Sequence, residues 1–148
     1  MKLTKIALTG LMVTSTFANN IEVQDFIVGS KIPYSTLVKL HDYGRVESGH
    51  LYGYTNTKDK YKLFIFTKNG KIIKVELQKD YHDKFECWTN SVKFAIDHFG
   101  YENIYAGTGW YYSYNKPWPF GSKIEMDCLP SSGNWYLEMV ITPDIPKE

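Results

Sequence analysis

Cys87 and Cys128 are the two cysteines of this 148-residue chain, and whether they are free or joined decides which chemistry is open to it. A free Cys87 would be a nucleophile. It falls near the start of a segment with helical periodicity, where a helix N-terminus lowers a thiol's pKa, and His50, His82 and His98 are the nominal bases. Joined, the two sulfurs would instead be a staple, which is the first reading of an even cysteine count in an exported chain. Closing a loop of about 40 residues stabilises a fold by about 3–4 kcal/mol in the chain-entropy picture.

The second group with chemical character is aromatic. Eight of the twenty residues from Tyr101 to Phe120 are Tyr, Trp or Phe, with Tyr105, Trp110, Tyr111, Tyr112, Tyr114, Trp118 and Phe120 set among Gly107, Gly109, Pro117 and Pro119. Pro and Gly at that density predict a surface loop or an interrupted edge strand. Tyr and Trp presented there give large, rigid contact area at small entropic cost, for a protein partner or for stacking on sugar rings, or they fill a small core under the loop.

A third group is acidic: Glu125, Asp127 and Glu138 are predicted to face outward from strands, where a pair of them could act as the carboxylates of a glycosidase. His41-Asp42 and His82-Asp83 do not make a metal motif, and no zinc signature, phosphate loop or serine elbow is present, so no cofactor is expected.

The segment Glu86-Cys87-Trp88-Thr89-Asn90-Ser91-Val92, running to Gly100, resembles the nucleophile helix of NlpC/P60-like cysteine peptidases. The resemblance implies Cys87 as nucleophile and a histidine on a later strand. The later histidine here is His98, about three turns along the same helix and too distant to share a proton. A circularly permuted relative would place the histidine first, and His50 in Ser48-Gly49-His50-Leu51-Tyr52-Gly53-Tyr54 takes that position. The implied activity is hydrolysis of peptidoglycan or an acyl substrate.

The elements that must position these groups follow from periodicity. Lys60 to Gln78 is a hairpin around Asn69-Gly70. With Lys68 opposite Lys71, Phe66 pairs with Ile73 and Phe64 with Val75 on the core face, leaving Ile65 and Leu63 on a half-apolar second face that could support a homodimer. A helix is predicted from about Asp83 to Phe99, burying Phe85, Trp88, Val92, Ala95, Ile96 and Phe99, with Cys87 on the flank of that stripe. Asp83 followed by Glu86 resembles a capping box, and Gly100 ends the helix. A second hairpin joins Lys123–Cys128 to Asn134–Thr142 around Pro130-Ser131-Ser132-Gly133, with Cys128 on the apolar side. Ile21–Val28 and Arg45–Tyr54 read as further strands, and Ser35–Tyr43 as a short helix ended by Gly44. The expected fold is α+β: an antiparallel sheet of about five strands, one long amphipathic helix on one face, and a Cys87–Cys128 disulfide.

The first eighteen residues read as a cleavable signal peptide. Lys2 and Lys5 precede an uncharged, mostly apolar run of 13 residues from Ile6 to Ala18, too short to span a bilayer, and Thr16 and Ala18 are small residues before a cut at Asn19. The expected product, residues 19–148, is one domain in the periplasm or outside the cell. Without Lys2 and Lys5 it carries 15 basic and 16 acidic groups, and scattered Lys and Arg at near-zero net charge exclude a nucleic-acid binder. Together these features predict a non-enzymatic binding protein, an inhibitor or immunity-type module that blocks a cell-wall-acting enzyme or toxin through the aromatic segment. The cysteine hydrolase and a saccharide-binding module are the alternatives.

Overall fold

The computed structural model describes residues 21–99, 104–106, 111–114 and 122–143, with 104–106 and 111–114 as backbone only. The predicted signal segment, 1–18, lies outside the described residues. In chain order there follow a 3₁₀ turn (Val23–Asp25), helix α1 (Tyr34–Leu37), strands β1 (His41–Val46), β2 (Gly49–Asn56), β3 (Tyr61–Lys68) and β4 (Lys71–Tyr81), helix α2 (Lys84–Phe99), and strands β5 (Ile104–Ala106), β6 (Tyr111–Tyr114), β7 (Ser122–Ser131) and β8 (Asn134–Pro143). All the strands join one antiparallel sheet in the order β1-β2-β3-β4-β8-β7-β6-β5. The α+β architecture with α2 on one face is the expected one, but eight strands stand where about five were expected.

The local signals that hold are turns and caps. Asn69 and Gly70 take φ of +54° and +79°, and Ser132 and Gly133 take +46° and +87°, so both hairpins turn on two left-handed residues, the geometry that matches strand twist. The second turn is shorter than predicted, because β7 continues through Pro130 and Ser131. Asp83 Oδ1 accepts the Glu86 N–H at 2.8 Å and so caps the start of α2.

Four expectations about the first helix and the strands before α2 are corrected. Ile21–Val28 is not a strand: around its 3₁₀ turn it packs Ile21, Val23, Phe26 and Val28 into the core. Ser35–Tyr43 is not a helix, since α1 stops at Leu37 and His41–Val46 forms β1. Gly44 sits at φ +93° beside a bulge in β1 rather than closing a helix. Arg45–Tyr54 is not one strand either, because the chain reverses at Glu47-Ser48 between β1 and β2.

The fourth correction concerns the β3–β4 register. Lys68 does face Lys71, but the register shifts between Phe66 and Thr67, so Phe66 pairs with Lys74, Ile65 with Val75 and Leu63 with Leu77. One extra residue in β4 exchanges the faces. Leu63 and Ile65 are fully buried, while Phe64 and Phe66 are half-buried on the outer face. Ile72 directs its backbone outward at this point, donating to Ser30 O (2.9 Å) and accepting from Gly29 N (2.8 Å). The bulge thus lets the N-terminal segment extend the sheet next to β4.

Helix α2 is turned relative to its predicted stripe. Its buried residues are Cys87, Ser91, Phe94, Ala95 and Phe99, whereas Phe85 is 79% exposed. The cause is covalent: Cys87 on α2 is bonded to Cys128 on β7, with Cα atoms 6.1 Å apart. The flank that carries Cys87 therefore faces the sheet and meets Ile124, Met126, Leu137, Met139 and Ile141 in one core cluster.

Ile65→Ala should lower the unfolding free energy by about 2–5 kcal/mol, the cost of a cavity in a packed core, and Phe85→Ala by less than about 0.5 kcal/mol. Urea titrations that found the two equally costly would put α2 back on its predicted stripe. Because the two cysteines are 41 residues apart, a Cys87→Ala/Cys128→Ala variant should lose about 4 kcal/mol relative to the oxidised protein, less whatever the reduced state regains.

Candidate functional site

Two surfaces combine several polar or aromatic groups. The first is the face of the sheet opposite α2. At the β1 bulge, Tyr43 lies over Gly53, where an added Cβ would come within 2.4 Å of the ring, so glycine is what lets the ring settle there. Tyr43 reaches Phe64 (ring centroids 6.2 Å apart) and His41 (4.3 Å, edge-on), and Lys74 holds its ammonium 4.4 Å above the Phe66 ring. Val46, Phe66 and Ile73 border a depression of about 200 Å³ alongside.

Further across the same face stand the acids singled out from the sequence. Asp127 and Glu138 are direct cross-strand partners, and Glu125 pairs with Val140. Burial, then the neighbouring Glu76 and Asp127, raises the Glu138 carboxyl above its ordinary pKa. A raised acid beside a second carboxylate is the pairing glycoside hydrolysis uses. These two, however, lie on the open sheet face and not in the cleft described below.

The sheet's far edge carries the aromatic segment. β6 pairs with β7 through Tyr111 with Glu125 and Tyr112 with Ile124, and β5 pairs with β6 through Tyr105 with Ser113 and Ile104 with Tyr114. Tyr105, Tyr111, Tyr112 and Tyr114 therefore occupy the two strands that end the sheet. Trp110, Trp118 and Phe120 lie outside the described residues.

The second surface is a cleft of about 820 Å³ between the 3₁₀ turn, the β2–β3 connection, β4 and α2. Glu22 and Gln24 line it from the turn, Asp59 from the connection, Lys79 and Tyr81 from β4, and Glu86, Asn90, Lys93 and His98 from α2. His98 Nδ1 donates to Gln24 Oε1 at 2.7 Å and lies 3.6 Å from Glu22 Oε1. Its ring packs on Phe94 (4.1 Å) and edge-on against Tyr61 (6.2 Å). Burial lowers the His98 pKa, against the opposing pull of Glu22 and Asp59. Lys79 donates to the Asp59 carbonyl, and burial lowers its pKa too.

A buried polar hub fixes this corner. Tyr61 Oη accepts from Val23 N and from Asn56 Nδ2, both at 3.2 Å; Asn56 also donates to Ile21 O (2.9 Å) and accepts from Asp59 N (2.9 Å). Glu22, Asn56 and Asp59 escape a reading of the sequence because each matters only through contacts with distant segments.

The nucleophile and base implied by the peptidase resemblance do not meet. Cys87 is fully buried in the disulfide, and among the described residues no cysteine is free. His50 is on β2, four strands from the β7 that holds Cys128, a span of roughly 19 Å at about 4.8 Å per strand. Its Nε2 is bonded instead to Asp42 Oδ1 at 2.5 Å. No described helix is long and apolar enough to cross a membrane. No family model, curated protein or solved structure matches the chain.

The hydrogen bond from His50, then that from the Gly44 N–H, holds the Asp42 carboxyl below its usual pKa of 3.8. A depressed acid stabilises the fold above its unfolded pKa, and that contribution is lost as pH falls through the lower folded value. Between about pH 5 and about pH 2, urea midpoints of the wild type and of Asp42→Asn should therefore converge. A gap that stays constant over that range would mean that Asp42 takes up its proton equally in both states.

Proposed function

We propose that this protein is exported and works as an inhibitor or immunity-type module, occluding an enzyme or toxin that acts on the cell wall. The observation that carries this reading is the position of β5 and β6. The strands bearing Tyr105, Tyr111, Tyr112 and Tyr114 are the terminal pair of the sheet, and a sheet edge offers backbone groups to a partner. A disulfide of 41-residue span suits an oxidising compartment and holds the scaffold rigid behind that edge. A standard interface of about 800 Å² per partner fits the edge and the adjoining outer face of β7, with Trp110, Tyr112 and Trp118 as anchors.

Two measurements test this. The mature protein should begin at Asn19 and take up no alkylating reagent unless reduced; retention of residues 1–18 in the exported product would remove the compartment argument. In a panel of lysozymes, peptidoglycan amidases and cell-wall toxins, at least one should be inhibited by the mature protein. A Trp110→Ala/Tyr112→Ala/Trp118→Ala variant with an intact disulfide should bind that target at least about a hundredfold more weakly, the loss of two or more hot-spot contacts. Undiminished binding by the variant would sink the assignment of the edge, and no inhibition across the panel would sink the function.

A further inference from the structure

We infer that Glu22, Asp59 and His98 form a binding centre for a divalent transition-type cation, of which zinc is the best match. One ligand atom from each residue lies within 4.8 Å of the others, and His98 Nδ1 is already 3.6 Å from Glu22 Oε1. Ligand atoms around a tetrahedral ion with bonds of about 2.0–2.1 Å stand about 3.3–3.5 Å apart. Closing the set would draw these atoms together by at most about 1.5 Å, within the reach of side-chain rotation.

Three independent features make this more than a patch of acids. The donors include an imidazole whose ring packs on Phe94 and lies edge-on to Tyr61, so its orientation is restricted before any ion arrives. They come from three segments of the chain, and the cleft of about 820 Å³ opens onto them, giving an ion a way in. Gln24 Oε1, 2.7 Å from the same His98 nitrogen, must swing out of its present hydrogen bond to admit an ion, and as a neutral oxygen it can then complete the shell.

The donor set, one nitrogen with carboxylate and amide oxygens, suits zinc or manganese better than the all-oxygen shells of magnesium and calcium. Lys58, Lys60, Lys79 and Lys93 also line the cleft, but Lys79 is bonded to the Asp59 carbonyl and not its carboxylate, and Lys93 to Asp97. Their positive charge weakens the site without occupying it. The bound ion would clamp the N-terminal segment to the β2–β3 connection and to the last turn of α2. The inference is independent of the partner proposed above, because its test needs the metal alone.

Mature, oxidised protein stripped with a chelator is titrated with zinc chloride by calorimetry and by ¹H–¹⁵N imidazole spectra, with manganese and magnesium chloride in parallel. One zinc should bind per chain, more tightly than manganese and far more tightly than magnesium. The His98 nitrogens should shift, and the thermal midpoint should rise and return on adding EDTA. His98→Gln, Asp59→Asn and Glu22→Gln should each weaken binding at least about tenfold, while His82→Gln leaves it unchanged. Absent binding, binding that survives His98→Gln, or saturation with the His98 resonances of the wild type unmoved would each overturn the inference; the last reads the folded wild type and does not depend on any variant.

Discussion

A covalent bond between the first turn of α2 and the sixth strand of the sheet fixes the rotation of that helix, and much of the molecule follows from it. With Cys87 tied to Cys128, residues spaced at helical intervals from Cys87 must face the sheet: Ser91, Phe94, Ala95 and, on the last turn, His98 and Phe99. Phe85, on another side of the helix, is left in water. Apolar burial alone would favour a helix that hides Phe85 along with Trp88, which is half-buried against the core. The bond holds the other choice, replacing a large aromatic contact with a small sulfur and Ser91, whose hydroxyl returns to the Trp88 carbonyl at 3.0 Å. The same rotation carries His98 to the N-terminal segment, where it meets Gln24 and Glu22.

The sheet poses a related problem of choosing sides. Along Leu63-Phe64-Ile65-Phe66 every residue is apolar, so period-two alternation cannot say which pair belongs inside, and only the register across the hairpin can. The Asn69-Gly70 turn was legible because two adjacent left-handed residues have few solutions. The bulge at Ile73, opposite the Phe66–Thr67 step, was not, because it goes with Ile72 pairing with Gly29 and Ser30, more than forty positions earlier. One residue of slip exchanges Leu63 and Ile65 for Phe64 and Phe66. The aliphatic pair enters the close-packed layer under the helix and the N-terminal segment, while the rings remain where Tyr43 and Lys74 can lie over them.

Elements defined by local chemistry were readable: the α2 start at Asp83, the two hairpins, the pairing of the cysteines, and the outward placement of Glu125, Asp127 and Glu138. Where several segments compete, the sequence misled. Ile21–Val28 has the β-branched and aromatic content of a strand, yet Asp25 Oδ2 accepts the Glu22 N–H at 2.8 Å and favours a tight turn. Ser35 to Tyr43 reads as a short helix ended by Gly44, but His41–Val46 pairs as β1 and sets the Tyr43 ring over Gly53. The cleft was invisible for the same reason, since its residues are strangers in sequence.

That cleft depends on one buried polar contact set more than on the residues that line it. Tyr61 and Asn56 are almost wholly enclosed, and their three polar groups are satisfied by Val23 N, Ile21 O, Asp59 N and each other. Burying such groups is costly unless every partner is present. The N-terminal segment and the β2–β3 connection are therefore held together by the requirement to satisfy Tyr61 and Asn56, and burial raises the Tyr61 pKa so that its hydroxyl stays neutral. Glu22 and Asp59, each adjacent to a member of that set, are consequently brought beside His98 by contacts that do not involve their own carboxylates.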